Sequence, residues 1–339
     1  MPGRCYPTNC AFSARGRSDN RAMHLLVPFA SDRSEACQHV LRDLALPNLE
    51  RLLALLTPAG RDEGDAGSFS PPHERALAAA WGWHGGDGLL PFAAHAAAGD
   101  GIATGELAWG LLTPSHWQLG RDDVTMLDPD LLGLAEAESR ALFASAGELL
   151  ASEGFAVAWG ASDRWYAARD DLQALATASL DRVVGRNVDR WLRASGRGPV
   201  DETRATLSLV RRLQSEAQIV FHSHAVNEAR EERGALTANS FWLSGCGRRQ
   251  VVDAPATPEV ASTLRAPLLH ADWAAWAEAW RALDLGDMAR LLALARRGEP
   301  VTLTLCGERT AARYSLAPRS LWQRLRATTV AAHDVLIAL

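Results

Sequence analysis

The residues best suited to chemistry in this 339-residue chain are arginines and histidines. Arg182, Arg186 and Arg190 recur every four positions, so on one helix over 180–192 they would form a basic stripe able to hold a phosphate or carboxylate bidentately. Asp181 and Asp189 stand beside them, and a charge-balanced solvated face is the preferred reading. His222 and His224 alternate, which on an extended segment would put both imidazoles on one side, as a metal pair requires. Only Glu228 and Glu231 lie near them, and two histidines at the end of an element do not by themselves make a metal site. Trp273, Trp276 and Trp280, at i, i+3 and i+7, read as a packed aromatic stripe.

Composition removes several classes of function. All 35 basic residues are arginine, so neither a G-x-x-x-x-G-K phosphate loop nor a Schiff-base lysine can exist. The net charge is -5, which offers no basic field for nucleic acid. No G-x-S-x-G elbow and no H-E-x-x-H occurs, and "GGDG" neither follows a strand nor opens a helix. Of five cysteines, Cys5 and Cys10 lie in the first 22 residues and Cys37, Cys246 and Cys306 are widely separated, and without a C-x-x-C pair they indicate reduced thiols and a cytoplasmic protein. No apolar run is long enough to span a membrane.

The elements that must position these residues alternate. Residues 24–30 read as a buried strand, 31–56 as a helix, "TPAGRDEGDAGSFSPP" as a loop, and 71–81 as a helix with Ser70 as its N-cap and Pro71 at the first helical position. Strands are expected at 106–113, 155–161, 239–245 and 301–308. Helices are expected at 135–152, 180–192 and 203–220, with two more in "DWAAWAEAWRAL" and "GDMARLLALARRG". The alternation indicates an α/β fold with a largely parallel sheet. Residues 1–22 are polar and aperiodic, and read as a disordered or mis-assigned extension before Met23.

One stretch carries a specific resemblance. "HAVNEAREERGALTANSFWLSGCG" (224–247) resembles a segment of the archaeal-type cofactor-independent phosphoglycerate mutases, of the alkaline-phosphatase-like superfamily. His224, Val226, Asn227, Arg230, Gly234, Ala238, Asn239, Trp242, Leu243, Gly245 and Gly247 fall in register. "LPNLERLLALL", "ALAAAWGW", "AAGDGIATGELAW" and, more weakly, "DRWYAARDDLQAL" resemble further family segments in the family's order, over about residues 24–250. The chain is similar in particular to a bacterial group of that descent, the RpfE-type regulatory proteins.

The resemblance implies a mostly parallel sheet flanked by helices. A discontinuous α/β core (23–98 plus 237–339) would carry an inserted α+β substrate-binding subdomain (99–236) and a shortened C-terminal half. In that subdomain Arg164, Arg182 and Arg186, with His224, Asn227, Arg230 and Asn239 of the matched stretch, would hold an anionic ligand. The family's mutases use two divalent metals and a phosphoryl-carrying serine. The matching positions here are weak: Asp32 lies a few residues past the expected Asp-Gly, His73 stands at the expected nucleophile position with Ser70 the only close hydroxyl, and His222, His224, His270 and Asp272 are the remaining metal candidates. The D-E-x-G-H and D-H-x-T-P motifs are absent, and 92 residues follow Gly247. The expectation is therefore a catalytically degenerate, regulatory relative without a cofactor, binding a phosphorylated small molecule or a protein partner. The alternative is an active mutase or phosphatase with relocated ligands and two manganese, magnesium or zinc ions; a structural interaction module built on the Trp-rich helices is a third reading.

Overall fold

The computed structural model describes residues 22–121, 123–194, 202–253, 257–316 and 330–339. The expectation for the first 22 residues lies outside them except for its last position, as does most of "ASGRGPVDE". Among the described residues no helix is long and apolar enough to cross a membrane. The chain forms two compact units. One takes His84–Val251 together with Ser68–Ser70; the other takes Pro71–Trp83, Val252–Leu339 and, among the described residues, 22–67.

The discontinuous unit is built on a five-stranded sheet. Its first strand, β1 (Met23–Val27), pairs in parallel with β10 (Val301–Cys306) on one side and with the short β9 (Glu259–Val260) on the other. Leu25, Leu26, Val27, Leu303 and Leu305 are all essentially buried, the pattern of parallel strands covered on both faces. The expected α/β class, with parallel strands at the centre of the sheet, is found here. Beyond β10 the sheet turns antiparallel, through β11 (Thr310–Ser315) and then β2 (Thr57–Glu63) at the edge. Strand β2 lies within the segment expected to be a loop. Five of its seven residues are exposed and it is held by backbone pairing to β11, so neither period nor hydrophobicity marks it.

The helix expected over 31–56 is two, α1 (Glu35–Asp43) and α2 (Pro47–Leu55). Ser34 caps α1, its side chain accepting from the Cys37 amide at 3.3 Å. Pro47 cannot donate to a preceding turn, so the helix restarts there. The residue before α2, Leu46, offers no capping side chain. Its place is taken from far along the chain. Helix α11 (Trp273–Leu283) runs through a single π turn, 284–288, into α12 (Ala289–Arg296), and Asp284 stands at that turn with 2% exposure. The Asp284 carboxylate accepts from the amides of Leu49 at 2.8 Å and Asn48 at 3.2 Å, and from the Asn48 side chain at 3.3 Å. An anion on first-turn amides satisfies groups that a helix cannot satisfy itself and complements its dipole.

The 84–251 unit is a four-stranded antiparallel sheet in the order β6 (Ala156–Ala161), β7 (Arg164–Ala168), β3 (Ala108–Ser115), β8 (Ser240–Arg248). Helices α5 (Glu136–Ser152) and α8 (Glu202–His222) cover one face around Trp165, Leu112, Phe221 and Phe241. The alanine-rich α4 (Phe92–Gly99) covers the other, against Trp109 and Tyr166. Small side chains allow that approach: a Cβ on Gly245, at φ +64°, would fall 2.9 Å from the Ala93 amide nitrogen. This compact unit runs over His84–Val251, where the expectation for a subdomain had limits at 99 and 236. Helix α4 packs on β3 and β8, and β8, within the 237–339 stretch expected to belong to the core, pairs with β3.

The expected helix over 180–192 is likewise broken, into α6 (Leu180–Val183) and α7 (Val188–Ala194), with Gly185 between them at φ +71°. The regular four-residue basic stripe is thereby lost.

Asp284→Ala strands several buried donors at once and should destabilise the protein by about 2–3 kcal/mol, whereas Asp284→Asn should keep part of that. Urea denaturation of the three proteins checks this; equal midpoints would contradict it.

Candidate functional site

Open α/β sheets bind ligands beyond the carboxyl ends of their parallel strands. In the discontinuous unit that edge is filled. After β1 the chain runs through Phe29, which is buried and holds the left-handed conformation at φ +57°, at a cost on the order of 1–2 kcal/mol for a residue with a Cβ. The turn is held by its neighbours. The Ala30 amide donates to Cys306 O at 2.8 Å, Trp276 Nε1 to Phe29 O at 3.1 Å, and Trp280 Nε1 to Ala30 O at 3.2 Å. Both indoles are fully buried.

His73 is buried with its ring centroid 5.0 Å from that of Phe29. A Cβ at Gly307, beyond β10, would lie 2.5 Å from Leu339 Cβ and 2.7 Å from Ser31 Oγ. Asp32 turns away to accept from the Ser34 amide at 2.7 Å. The Cys306 thiol is pushed up by burial, and Cys37 to about 11, chiefly by the same cause, so both stay protonated. This edge presents carbonyls already taken by indole N–H groups, not a set of free carboxylates and imidazoles. It does not fit a pair of divalent metals. Among the described residues no three His, Cys, Asp or Glu side chains are grouped to hold a metal ion.

The other weak candidates have structural roles. Ser70 does not cap α3 (Pro72–Ala80), whose N-cap is Pro71; its Oγ accepts from the Gly88 amide at 2.9 Å. His222 ends α8, and His224 caps α9 (Ala225–Glu232) by accepting from the Val226 amide through Nδ1 at 3.1 Å. The alternation over 222–224 is thus a break between two helices, not a strand presenting two imidazoles. Asp272 caps α11, accepting from the Ala275 amide at 2.9 Å, and His270 ends α10 (Arg265–Leu269).

The matched stretch proves to be a brace. Asn227 is buried, donating to Phe221 O at 2.8 Å and Ala238 O at 2.7 Å while accepting from the Ala238 amide at 3.2 Å. Arg230, 2% exposed, donates to Leu236 O at 2.7 Å, to Leu132 O and to Glu138 Oε2 at 2.6 Å. Burial acts upward on the Glu138 carboxyl. The hydrogen bond from Arg233, the Ala135 amide and the nearby guanidinium charges outweigh it and hold the group below the usual carboxylate range. Asn239 fixes the Trp117 backbone from both sides, at 2.7 and 3.0 Å. Arg182 is buried within α6, and Arg186 lies partly buried in the turn beyond it.

Arg164 is engaged too, and its partner was missed by sequence reasoning. Its Nε and Nη2 clasp the Asp100 carboxylate at 2.9 Å each, and Tyr166 Oη donates to the same group at 2.7 Å. Burial raises the Asp100 pKa, but the bonds from Arg164 and Tyr166 and the guanidinium charge prevail and leave it lowered. Asp100 is also the C-cap of α4, which ends in a Schellman turn: the Gly101 amide, at φ +81°, donates to Ala98 O at 3.1 Å and the Ile102 amide to Ala97 O at 2.9 Å. Four residues on, Thr104 O accepts from Trp109 Nε1 at 2.8 Å. The loop 100–105 is therefore pinned at both ends. It borders a cavity of about 530 Å³, lined by Ala98, residues 101–105, Arg249 and Val251. The signal for it was the "GDGIATG" run, whose glycines read equally well as a helix stop.

No protein-family model matches the chain, and no curated protein does either. Among solved structures, the cofactor-independent phosphoglycerate mutase from Thermoplasma acidophilum DSM 1728 is similar at 13% identity over 94% of this chain and 99% of that one, with a TM-score of 0.33. The PH0037 protein from Pyrococcus horikoshii is similar at 12% identity over 92% and 90%, with a TM-score of 0.42. These likenesses span nearly the whole chain, but at such scores superposition carries no argument for function.

Asp100 contributes stability that is present above its unfolded value, about 4, and lost as the pH falls through its lower folded value. Arg164→Gln should flatten that acid loss below about pH 4, as followed by urea midpoints; an unchanged profile would count against the clasp. Replacing either buried indole donor, Trp276→Phe or Trp280→Phe, should cost about 1–3 kcal/mol through the orphaned carbonyl and lost packing. A loss of under a few tenths of a kcal/mol in thermal or urea unfolding would contradict the role given to these bonds.

Proposed function

We propose that this chain is a catalytically degenerate relative of the cofactor-independent phosphoglycerate mutases, of the RpfE-type regulatory group, that binds a phosphorylated metabolite in a reducing, cytoplasmic setting. The observation that carries the loss of catalysis is the turn after β1. Where the related enzymes begin their metal site with Asp-Gly, this chain has Pro28 and Phe29. The left-handed backbone suited to a glycine is held by Phe29, and two indole N–H groups occupy the carbonyls of Phe29 and Ala30. A two-metal centre needs several anionic or imidazole donors converging within a few ångströms. Asp32, Ser70 and His73 are each committed to local contacts instead.

The family relation is supported by the eleven positions in register over 224–247. Asn227, Arg230 and Asn239 serve there as internal braces, a role that demands particular residue types without requiring catalysis. On this reading the 84–251 unit is the counterpart of the family's substrate-binding subdomain. Its ligand chemistry shifts away from Arg164 and Arg230, which are consumed by Asp100 and Glu138.

The test is metal analysis of the purified full-length protein together with mutase and phosphatase assays in added manganese, and calorimetric titration with 3-phosphoglycerate. The expected outcome is no stoichiometric metal pair, no turnover above the uncatalysed rate, and measurable heat of binding. Two tightly bound ions with turnover would establish the active-enzyme alternative in its place.

A further inference from the structure

The cavity beside the loop 100–105 has chemistry of one sign. Of its lining residues only Arg249 is charged, and no carboxylate lines it. Arg249 is exposed and forms no hydrogen bond or ion pair among the described residues, in contrast to Arg164 and Arg230 of the same unit. Two acidic residues flank the lining loop in sequence, Asp100, clasped by Arg164 and Tyr166, and the exposed Glu106, and neither lines the cavity.

The backbone supports the same polarity. The carbonyls of Ala96, Ala97 and Ala98, which would make the end of α4 repel an anion, are taken by the amides of Asp100, Ile102 and Gly101. The next three amides, those of Ala103, Thr104 and Gly105, have no acceptor among the described residues. Their loop is nonetheless fixed, by the Asp100 clasp at one end and by Trp109 Nε1 on Thr104 O at the other. A guanidinium and a fixed run of unused amides suit an anion with several oxygens around one centre. Ile102, Ala103 and the exposed Val251 supply an apolar margin for a short carbon skeleton, and about 530 Å³ accommodates a small metabolite.

We propose that this cavity binds the phosphate group of a small phosphorylated metabolite, with Arg249 as the cation and the amides of residues 103–105 as donors. The assignment rests on the proposed function, in which a phosphorylated small molecule is the ligand, and names the place where it is held. The neighbouring His95 has its pKa lowered by burial and then by the Arg249 charge, so its imidazole stays neutral near neutral pH and Arg249 is left as the cation there.

The experiment is titration of the full-length protein with inorganic phosphate and with glycerol 3-phosphate, followed by calorimetry and by backbone amide NMR. Arg249→Gln removes the cation at an exposed position, and Val251→Glu places a negative charge on the rim at a residue 81% exposed, so neither should disturb folding. Arg212→Gln, on an exposed arginine of α8 paired with Glu153 and Glu216, serves as control. The expected result is wild-type binding with shifts at the amides of 103–105, a loss of about tenfold or more in affinity for Arg249→Gln and Val251→Glu, and no change for the control. Wild-type binding that both cavity variants retain, with shifts elsewhere, would overturn the site while leaving the metabolite-binding reading in place. Absence of any wild-type binding at 10 mM of either probe, on the order of the weakest affinity that would matter, would overturn both.

Discussion

Two indole N–H groups, one on the carbonyl of a left-handed phenylalanine and one on the carbonyl of the next residue, fix the discontinuous unit. Phe29 can hold φ +57° only because the surroundings over-determine it: Cys306 receives the next amide, and Trp276 and Trp280 take the two carbonyls. Those indoles arrive on α11, which continues through the π turn that also delivers Asp284 to the start of α2. One helix thus ties the end of the first strand and the beginning of the second helix to a single rigid body. The stripe that looks like packing is also the hydrogen-bonding partner of the turn where the parallel strands end.

The same allocation of polar groups governs the other unit. Asn227, Arg230 and Asn239 bridge segments that have no regular pairing of their own, and Glu138 and Asp100 each absorb an arginine. Buried charge of this kind is retained when its hydrogen bonds are complete, as those of Arg230 are, because removing one partner would leave the other uncompensated. The cost is that these arginines are no longer available to a ligand. The pinned loop 100–105 and the exposed Arg249 line a cavity of the same unit.

Strong periodicity was legible in the sequence, and long-range pairing was not. Helices such as 136–152 and 202–222, and strands such as 108–115 and 301–306, follow from their apolar spacing. Strand β2 did not show, because an exposed edge rich in Gly, Pro and Asp is held by its neighbour's backbone alone. The helix over 180–192 failed at Gly185, where a left-handed turn defeats an otherwise regular four-residue charge spacing. In 224–247 the residue types of a binding site concealed a structural role, since Asn227 and Arg230 are spaced to meet carbonyls across a loop. Asp100 gave no signal of its partners Arg164 and Tyr166, which lie more than sixty residues away.

Packing and indole hydrogen bonds fill the edge at the ends of β1 and β10, where a pair of divalent ions would have to sit. Crystals of the full-length protein soaked in manganese and measured at the manganese absorption edge test it directly. The account predicts no pair of anomalous peaks a few ångströms apart beside Phe29, Ser31 and Gly307, with Trp276 and Trp280 still donating to the Phe29 and Ala30 carbonyls. Two such peaks, with the turn opened and Asp32 or His73 drawn onto the ions, would contradict it.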